Sequence, residues 1–307
     1  MAVNTAPWLG VLLGWESRLA STKLFSFSPS GAKVGNPDLQ QTLPAVAAVV
    51  ERAGELLAAE CVRPGGRRGF EDKADIDVEI EVFLRAELLK ILPCDWWGEE
   101  TGHVLTGNPL CWVVDPNDGT SDFLKGLKGS AISVGLLHSN QPVLGVVYAP
   151  VTPDGHPDLI AWAEGMDHLL RNGSAVAIDL SKRVLSEGDW VMVSAAAANK
   201  PQINQELCSP AEFYAMPSIA YRLAKVAAGD GICGVSLYSV SAHDVVAGHA
   251  LLIGAKGTLI DENGKPVHYA TDANMLKISQ RCFGGAPSAC EQLSMREWSK
   301  VFNQVDG

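Results

Sequence analysis

A surplus of basic charge is the first thing this 307-residue chain lacks: 24 Lys and Arg stand against 35 Asp and Glu, a formal net charge of −11. Without a dense Lys/Arg stripe to replace counterions, a nucleic-acid polymer is not an expected partner. A small anion stays open, because a bound cation reverses the local field. No apolar run reaches the ~18 residues that a membrane-spanning helix needs, so no membrane partner is expected. The first residues lack the basic start, apolar stretch and small-residue cleavage pattern of a secretory signal, which makes a cytoplasmic location the expectation. The seven cysteines, at positions 61, 94, 111, 208, 233, 282 and 290, show no paired metal-binding spacing and read as reduced core residues. A P-loop is missing, and so is a G-x-S-x-G elbow; Ser241, His243 and Asp244 are near neighbours in sequence, which rarely face one another in a catalytic relay. Gly229, Gly231 and Gly234 have G-x-G-x-x-G spacing. They follow a helical pattern and lead into a strand, the reverse of a dinucleotide fingerprint, and read as a helix stop.

What is present is a soluble globular composition, 47% hydrophobic and 19% charged, in a chain long enough for one large or two medium domains. Its centre is Cys111 to Phe123, CWVVDPNDGTSDF. Four apolar residues, Cys111 to Val114, read as a short buried strand, and the chain then turns at once to Asp115, Pro116, Asn117, Asp118, Gly119 and Thr120. An Asp-Pro-x-Asp-Gly turn is by itself ordinary loop chemistry. Two carboxylates gathered at a strand end, however, repel each other and lose hydration, so they call for a cation. Oxygen donors with no nearby His or Cys suggest Mg²⁺ rather than zinc. Trp96 to Glu100 repeats the pattern upstream, an apolar approach ending in Glu99 and Glu100, and Asp244 opens an apolar, small-residue run far downstream.

Around these pieces the chain alternates. Pro7–Ala20 reads as a short helix and Ser26–Asp38 as a loop; residues 1–41 suggest structural capping, a subunit contact or nothing specific, with a homodimer left open. Thr42 caps a helix with Val46, Val49, Ala53 and Leu56/Leu57 on one side. Pro64 to Phe70 breaks it and places Arg67 and Arg68 either in a solvated turn or in an entrance loop for an anionic substrate. Ile76–Leu89 is a second helix, whose acidic start needs no catalytic explanation. Ala131–Leu137 and Val143–Tyr148 form a hairpin, Leu159–Ala163 another strand, and Asn172-Gly173 a turn. The first half is thus α plus mixed or antiparallel β. A domain change is expected near Gly173–Gly188, giving an N-terminal α+β domain over 1–175 with most acidic candidates and a C-terminal α/β domain over 176–307 that supplies Asp244. In the second half Trp190–Ser194 and Ile232–Ser236 are strands. Ser218 caps a helix over Ile219–Ala228, in which Arg222 and Lys225 read as the wet face.

The pieces GEE at Gly98–Glu100, WVVDPNDGTSDF at Trp112–Phe123 and HDVVAGHALLIGAKG at His243–Gly257, in this order, resemble the inositol monophosphatase family of magnesium-dependent, lithium-sensitive phosphatases, which includes the bisphosphate nucleotidases. The resemblance spans about residues 42–285. It implies a layered α-β-α-β-α sandwich of the sugar phosphatase type and hydrolysis of a small phosphorylated metabolite with Mg²⁺. It also implies Glu99, Asp115, the carbonyl of Pro116, Asp118 and Asp244 as metal ligands. Glu99 and Thr120 would activate the attacking water, Gly119, Thr120 and Ser121 would meet the phosphate, and Ser218 would line the substrate wall. An aspartate followed four residues later by a glutamate is expected to reach the metal site. Asp75 with Glu79 and Asp77 with Glu81 both fit, and the Lys-Ala-Asp context favours Asp75 as a further metal ligand and catalytic residue. The chain departs from the family at His243, where tryptophan is common, at Pro217-Ser218, and at Leu237, where inositol monophosphatases carry a glutamate for the polyol. A 3′(2′),5′-bisphosphate nucleotidase and an inactive metal- or phosphate-binding regulator therefore stay open beside a sugar or polyol phosphatase.

Overall fold

The computed structural model describes residues 37–303. The helix expected over Pro7–Ala20 lies outside them, as does most of the loop expected over Ser26–Asp38. Leu39, Leu43, Val46, Val50, Ala53 and Leu57 recur every three or four residues and are all buried, so the chain folds there as an amphipathic helix, α1 (Leu39–Cys61). It starts a turn earlier than expected. Asp38, not Thr42, is the cap, and its carboxylate accepts from the Gln41 amide at 3.1 Å. A small hairpin, β1 (Gly69–Phe70) and β2 (Lys73–Ala74), leads into α2 (Asp75–Ile91).

One large sheet follows from β3 (Asp95–Gly98), β4 (His103–Val104) and β5 (Leu110–Asp118), the short helix α3 (Thr120–Leu124), and then β6 (Ala131–His138), β7 (Gln141–Ala149), β8 (Asp158–Ala163), β9 (Leu169–Arg171) and β10 (Ser174–Val176). Its eight strands run in the order β10-β9-β8-β7-β6-β5-β3-β4, antiparallel except for β3 beside β5. The β6–β7 hairpin is tighter than expected: Ser139 and Asn140 both have positive φ, 48° and 66°, as a two-residue turn requires.

The second sheet is assembled from β11 (Trp190–Ser194), α4 (Pro201–Cys208), β12 (Glu212–Met216), α5 (Ile219–Ala227), β13 (Cys233–Ser236), α6 (Ala242–Gly254), β14 (Thr258–Asp261), α7 (Asp272–Leu276), β15 (Cys282–Gly285), α8 (Pro287–Ser294) and α9 (Lys300–Asn303). Its five strands run β12-β11-β13-β15-β14. The passage from one sheet to the other falls between Val176 and Trp190, and the described residues from 38 on belong to one compact unit.

Helices and sheets stack in layers. The outer pair α1 and α2 covers one face of the large sheet, and α5 and α6 lie between the two sheets; α4 and α8 pack on the five-stranded sheet. The mixed layered architecture is that of the sugar phosphatase fold. Being in the middle layer leaves α5 with no wet face. Arg222, expected to be solvated, is buried, with Nε donating to the Ser218 carbonyl at 3.1 Å and Nη1 to that of Val235. Lys225 is half-buried and pairs with Asp230. Among the described residues no helix is long and apolar enough to cross a membrane.

Candidate metal centre

In a regular strand, residues three apart point to opposite faces. Asp115 and Asp118 share a face because β5 carries one extra residue there: Asp115 pairs with Ser133 and Asp118 with Ala131, so three steps on β5 match two on β6. Pro116, which has no N–H to give the ladder, sits inside this bulge. The shared face is the one toward α6, where Ser133 Oγ donates to the His243 carbonyl at 3.2 Å. Gly119 then turns the chain with φ at 95° and starts α3, so that Thr120 and Ser121 lie in its first turn, whose amides no helix carbonyl takes up.

Asp244 arrives from the third position of α6. Its carboxylate accepts from the Ser241 amide in a capping box, which fixes the side chain at the helix start. One oxygen each of Asp115, Asp118 and Asp244 lie within 4.8 Å of one another. Asp118 is fixed through a single oxygen: Oδ2 accepts from Ser218 Oγ and from the Ala220 amide, both at 2.6 Å. The second oxygen takes part in neither bond. Ser218 was expected at the substrate wall. Its hydroxyl instead donates to Asp118 and accepts from the Tyr221 amide at 2.9 Å, so it caps α5 and has no proton left for a phosphate.

Glu99 stands just after β3, at the rim, with its side chain 36% exposed. What holds that loop is Glu81, a fully buried carboxylate that accepts from the Glu100 and Thr101 amides at 2.8 Å each and from Thr101 Oγ1. Gly98 makes room for it, since a Cβ there would lie 2.0 Å from Glu81 Oε1. Glu100, half-buried, lies beside Glu81 and not in the acidic cluster.

The preference for Asp75 is corrected. Asp75 is exposed at the first position of α2, whereas Asp77, a little over half a turn on, is 1% exposed and faces the central turn. Asn117 Nδ2 donates to Asp77 Oδ1 at 3.0 Å, and Thr120 Oγ1 lies 3.0 Å from Asp77 Oδ2 and 2.8 Å from the Asn117 carbonyl. The Thr120 hydroxyl has one proton for these two acceptors. Glu79, the partner of the rejected register, is exposed and pairs with Arg68. Asn117 had not been singled out; besides Asp77 it meets Asp115, whose Oδ1 accepts from the Asn117 amide at 2.8 Å. The two arginines before α2 are also committed to structure. Arg67 donates to the Phe123 carbonyl with its guanidinium 4.3 Å from that ring's centroid, and Arg68 is shared between Glu60 and Glu79.

Desolvation raises Glu99, Asp115, Asp118 and Asp244 above their ordinary range; like charge adds to it at Asp115 through Glu99 and Asp118, and at Glu99 and Asp118 through Asp244, while the Ser241 amide and Arg222 offset it at Asp244. Burial also pushes Asp77 up to about 7, against the hydrogen bonds from Asn117 and Thr120. Among the described residues no Lys or Arg forms an ion pair with Glu99, Asp115, Asp118 or Asp244. The buried Arg222 guanidinium favours the charged forms of Asp118 and Asp244 without forming an ion pair with either, and one positive charge does not balance four carboxylates; like charges gathered with oxygen atoms within one ion's reach fit a hard divalent cation.

Layered architecture and acidic donor set together are those of the metal-dependent phosphatases. A model of the inositol monophosphatase family matches residues 38–284, and the chain belongs to that family of Mg²⁺-dependent, lithium-sensitive phosphatases. It is 27% identical over 205 residues to "Inositol monophosphatase 2" of Solanum lycopersicum, covering 62% of this chain and 74% of that protein. It is also 27% identical over 232 residues to "3'(2'),5'-bisphosphate nucleotidase CysQ" of Aggregatibacter actinomycetemcomitans, covering 72% and 84%. The solved inositol monophosphatase from Anabaena (Nostoc) shares the fold with a TM-score of 0.64 at 23% identity, over 84% of this chain and 95% of that one. Similar likeness to two activities leaves the family's general chemistry, Mg²⁺-dependent phosphomonoester hydrolysis of small metabolites, as the common ground.

Proposed function

We propose that this chain hydrolyses a small phosphomonoester with Mg²⁺ held by Glu99, Asp115, Asp118 and Asp244, with Asp77 supporting the same site and the Pro116 carbonyl completing it. The observation that carries the reading is the convergence of Asp115, Asp118 and Asp244 from β5 and α6 within 4.8 Å, the first two buried and Asp244 half-buried, with no Lys or Arg ion pair to any of them among the described residues. When bound, Mg²⁺ supplies charge neutralisation for the phosphate and acidity for a water. The protein's own groups do the rest. Water attacks phosphorus, one of its protons passes to Glu99 or to the Thr120–Asp77 pair, the P–O ester bond breaks, and the alkoxide leaves as the alcohol by taking a proton from solvent water. Gly119, Thr120 and Ser121 offer first-turn amides and hydroxyls to the phosphate oxygens.

Leu237 stands at the position where inositol monophosphatases carry the glutamate for the polyol, which is the ground for assigning it to the leaving group; with Tyr238, Ser194 and Ala197 it lines a cavity of about 180 Å³. Leu237 accepts no hydrogen bond from a polyol, and the 57% exposed Tyr238 offers a stacking face, which favours a nucleotide phosphate as the second reading. A phosphate-release screen with Mg²⁺ over polyol phosphates, sugar phosphates and adenosine bisphosphate tests both. Release that vanishes with chelator is expected from at least one class. No release from any class would overturn hydrolysis and leave a metal- and phosphate-binding regulator.

A further inference from the structure

We propose that His243 is a nitrogen ligand of the cation held by Glu99 and Asp115, and that it tilts this centre toward Mn²⁺ and other transition-metal ions relative to Mg²⁺; the inference rests on the metal-centre reading above. His243 Nε2 lies 3.9 Å from Glu99 Oε1 and 3.9 Å from Asp244 Oδ1. That is too far for a hydrogen bond. It is the spacing of donors around one ion: two atoms each ~2.1 Å from a metal stand roughly 3 Å apart at right angles and about 4.2 Å apart when opposite. One atom each of Glu99, Asp115 and His243 lie within 4.8 Å of one another.

The rest of the imidazole's surroundings agree. Nδ1 is buried with no hydrogen-bond partner, so among the described residues neither ring nitrogen is engaged, although the side chain is only 16% exposed. A desolvated imidazole facing carboxylates across an ion-sized gap lacks the partner that would compensate it. Its place is set by the backbone: His243 directly precedes Asp244 in the first turn of α6, and its carbonyl is tied to β6 through Ser133. Ligation through Nε2 leaves the proton on Nδ1, where no carboxylate or carbonyl of the described residues backs it. Such a histidine is a weaker donor than one with a hydrogen-bonded second nitrogen, so the expected preference is moderate. Imidazole suits transition metals and adds little for Mg²⁺, which prefers oxygen and keeps its waters.

The test uses the full chain, stripped with chelator and given one equivalent of Mn²⁺, with pulsed EPR to read ¹⁴N coupling to the bound ion. Calorimetric Mn²⁺ and Mg²⁺ titrations of the wild type and His243→Gln accompany it. Directly bound nitrogen is expected in the wild type and not in the variant. The Mn²⁺-to-Mg²⁺ affinity ratio should fall about tenfold in His243→Gln, the size of a modest ligand loss, with Mg²⁺ affinity nearly unchanged. Mn²⁺ bound without ¹⁴N coupling in the wild type overturns this inference and leaves the carboxylate centre standing. Failure of the wild type to bind either ion overturns both. The wild-type spectrum decides alone if the variant does not fold.

Discussion

Asp75 and Asp77 are two residues apart, and the helix separates their fates. Asp75 lies exposed at the start of α2, while Asp77 is held by Asn117 and lies against Thr120. Asp75→Ala should therefore leave kcat/KM within about twofold, as expected for a surface change. Asp77→Asn should lower kcat by at least about tenfold, because a buried carboxylate backing a catalytic hydroxyl is lost. Equal effects of the two in steady-state assays at saturating Mg²⁺ would refute the assignment. Asp118→Asn is the sharper change. It keeps the shape that receives Ser218 and Ala220 but removes charge from the centre, and turnover should fall by about two orders of magnitude or more. A Mg²⁺ titration with matched circular dichroism separates a slow chemical step from weak metal binding.

At the scale of elements, the approach of α2 to β3 depends on a missing side chain. Gly98 leaves room for the Glu81 carboxylate that holds the loop bearing Glu99. Gly98→Ala should destabilise the protein by roughly 1–3 kcal/mol in denaturant unfolding, the usual cost of overpacking, and should lower activity by displacing Glu99. A stable, fully active variant would show that the loop adapts. Much of this layer was legible beforehand. Periodicity placed α1, α2 and the β6–β7 hairpin within a few residues, and the acidic turn could be read from its own residues as a candidate cation site. Three things were not legible. The choice between Asp75 and Asp77 depends on which side of α2 meets Asn117, and both spacings are identical in sequence. Arg222 read as solvated because nothing local reveals that α5 is covered on both sides. Strand β15, Cys282–Gly285, was not read because glycine is a poor strand former; Gly284 is there since a Cβ would lie 2.4 Å from Leu223 on α5, a constraint set wholly by packing. Ser218 shows the limit of position alone, as its hydroxyl is used up by Asp118 and by its own helix.

For the whole molecule, the metal centre is a stability liability that a cation relieves. Asp77 at about 7 and the raised Asp115, Asp118, Asp244 and Glu99 all have folded values above their unfolded ones. Each contributes stability that is fully present below the unfolded value, near 4, and is lost as pH rises through the folded value. Glu99 is about a third exposed, so solvent screening reduces its share relative to Asp77 and Asp115. Burial acts oppositely on His243 and His249, which it lowers to about 4. Their contribution is present above the unfolded value of 6.5 and is lost as pH falls toward 4. Between pH 4 and 6.5 the two sets oppose each other; above 6.5 the carboxylates act without that opposition. Chelator-treated protein should thus have a lower Tm at pH 8 than at pH 6.5 in thermal unfolding. Mg²⁺ should raise Tm more at pH 8, because it binds the ionised carboxylates and need not displace their protons. An equal or larger Mg²⁺ effect at pH 6.5 would mean that the carboxylates are already ionised there, and that the buried cluster is compensated by a charge other than the cation.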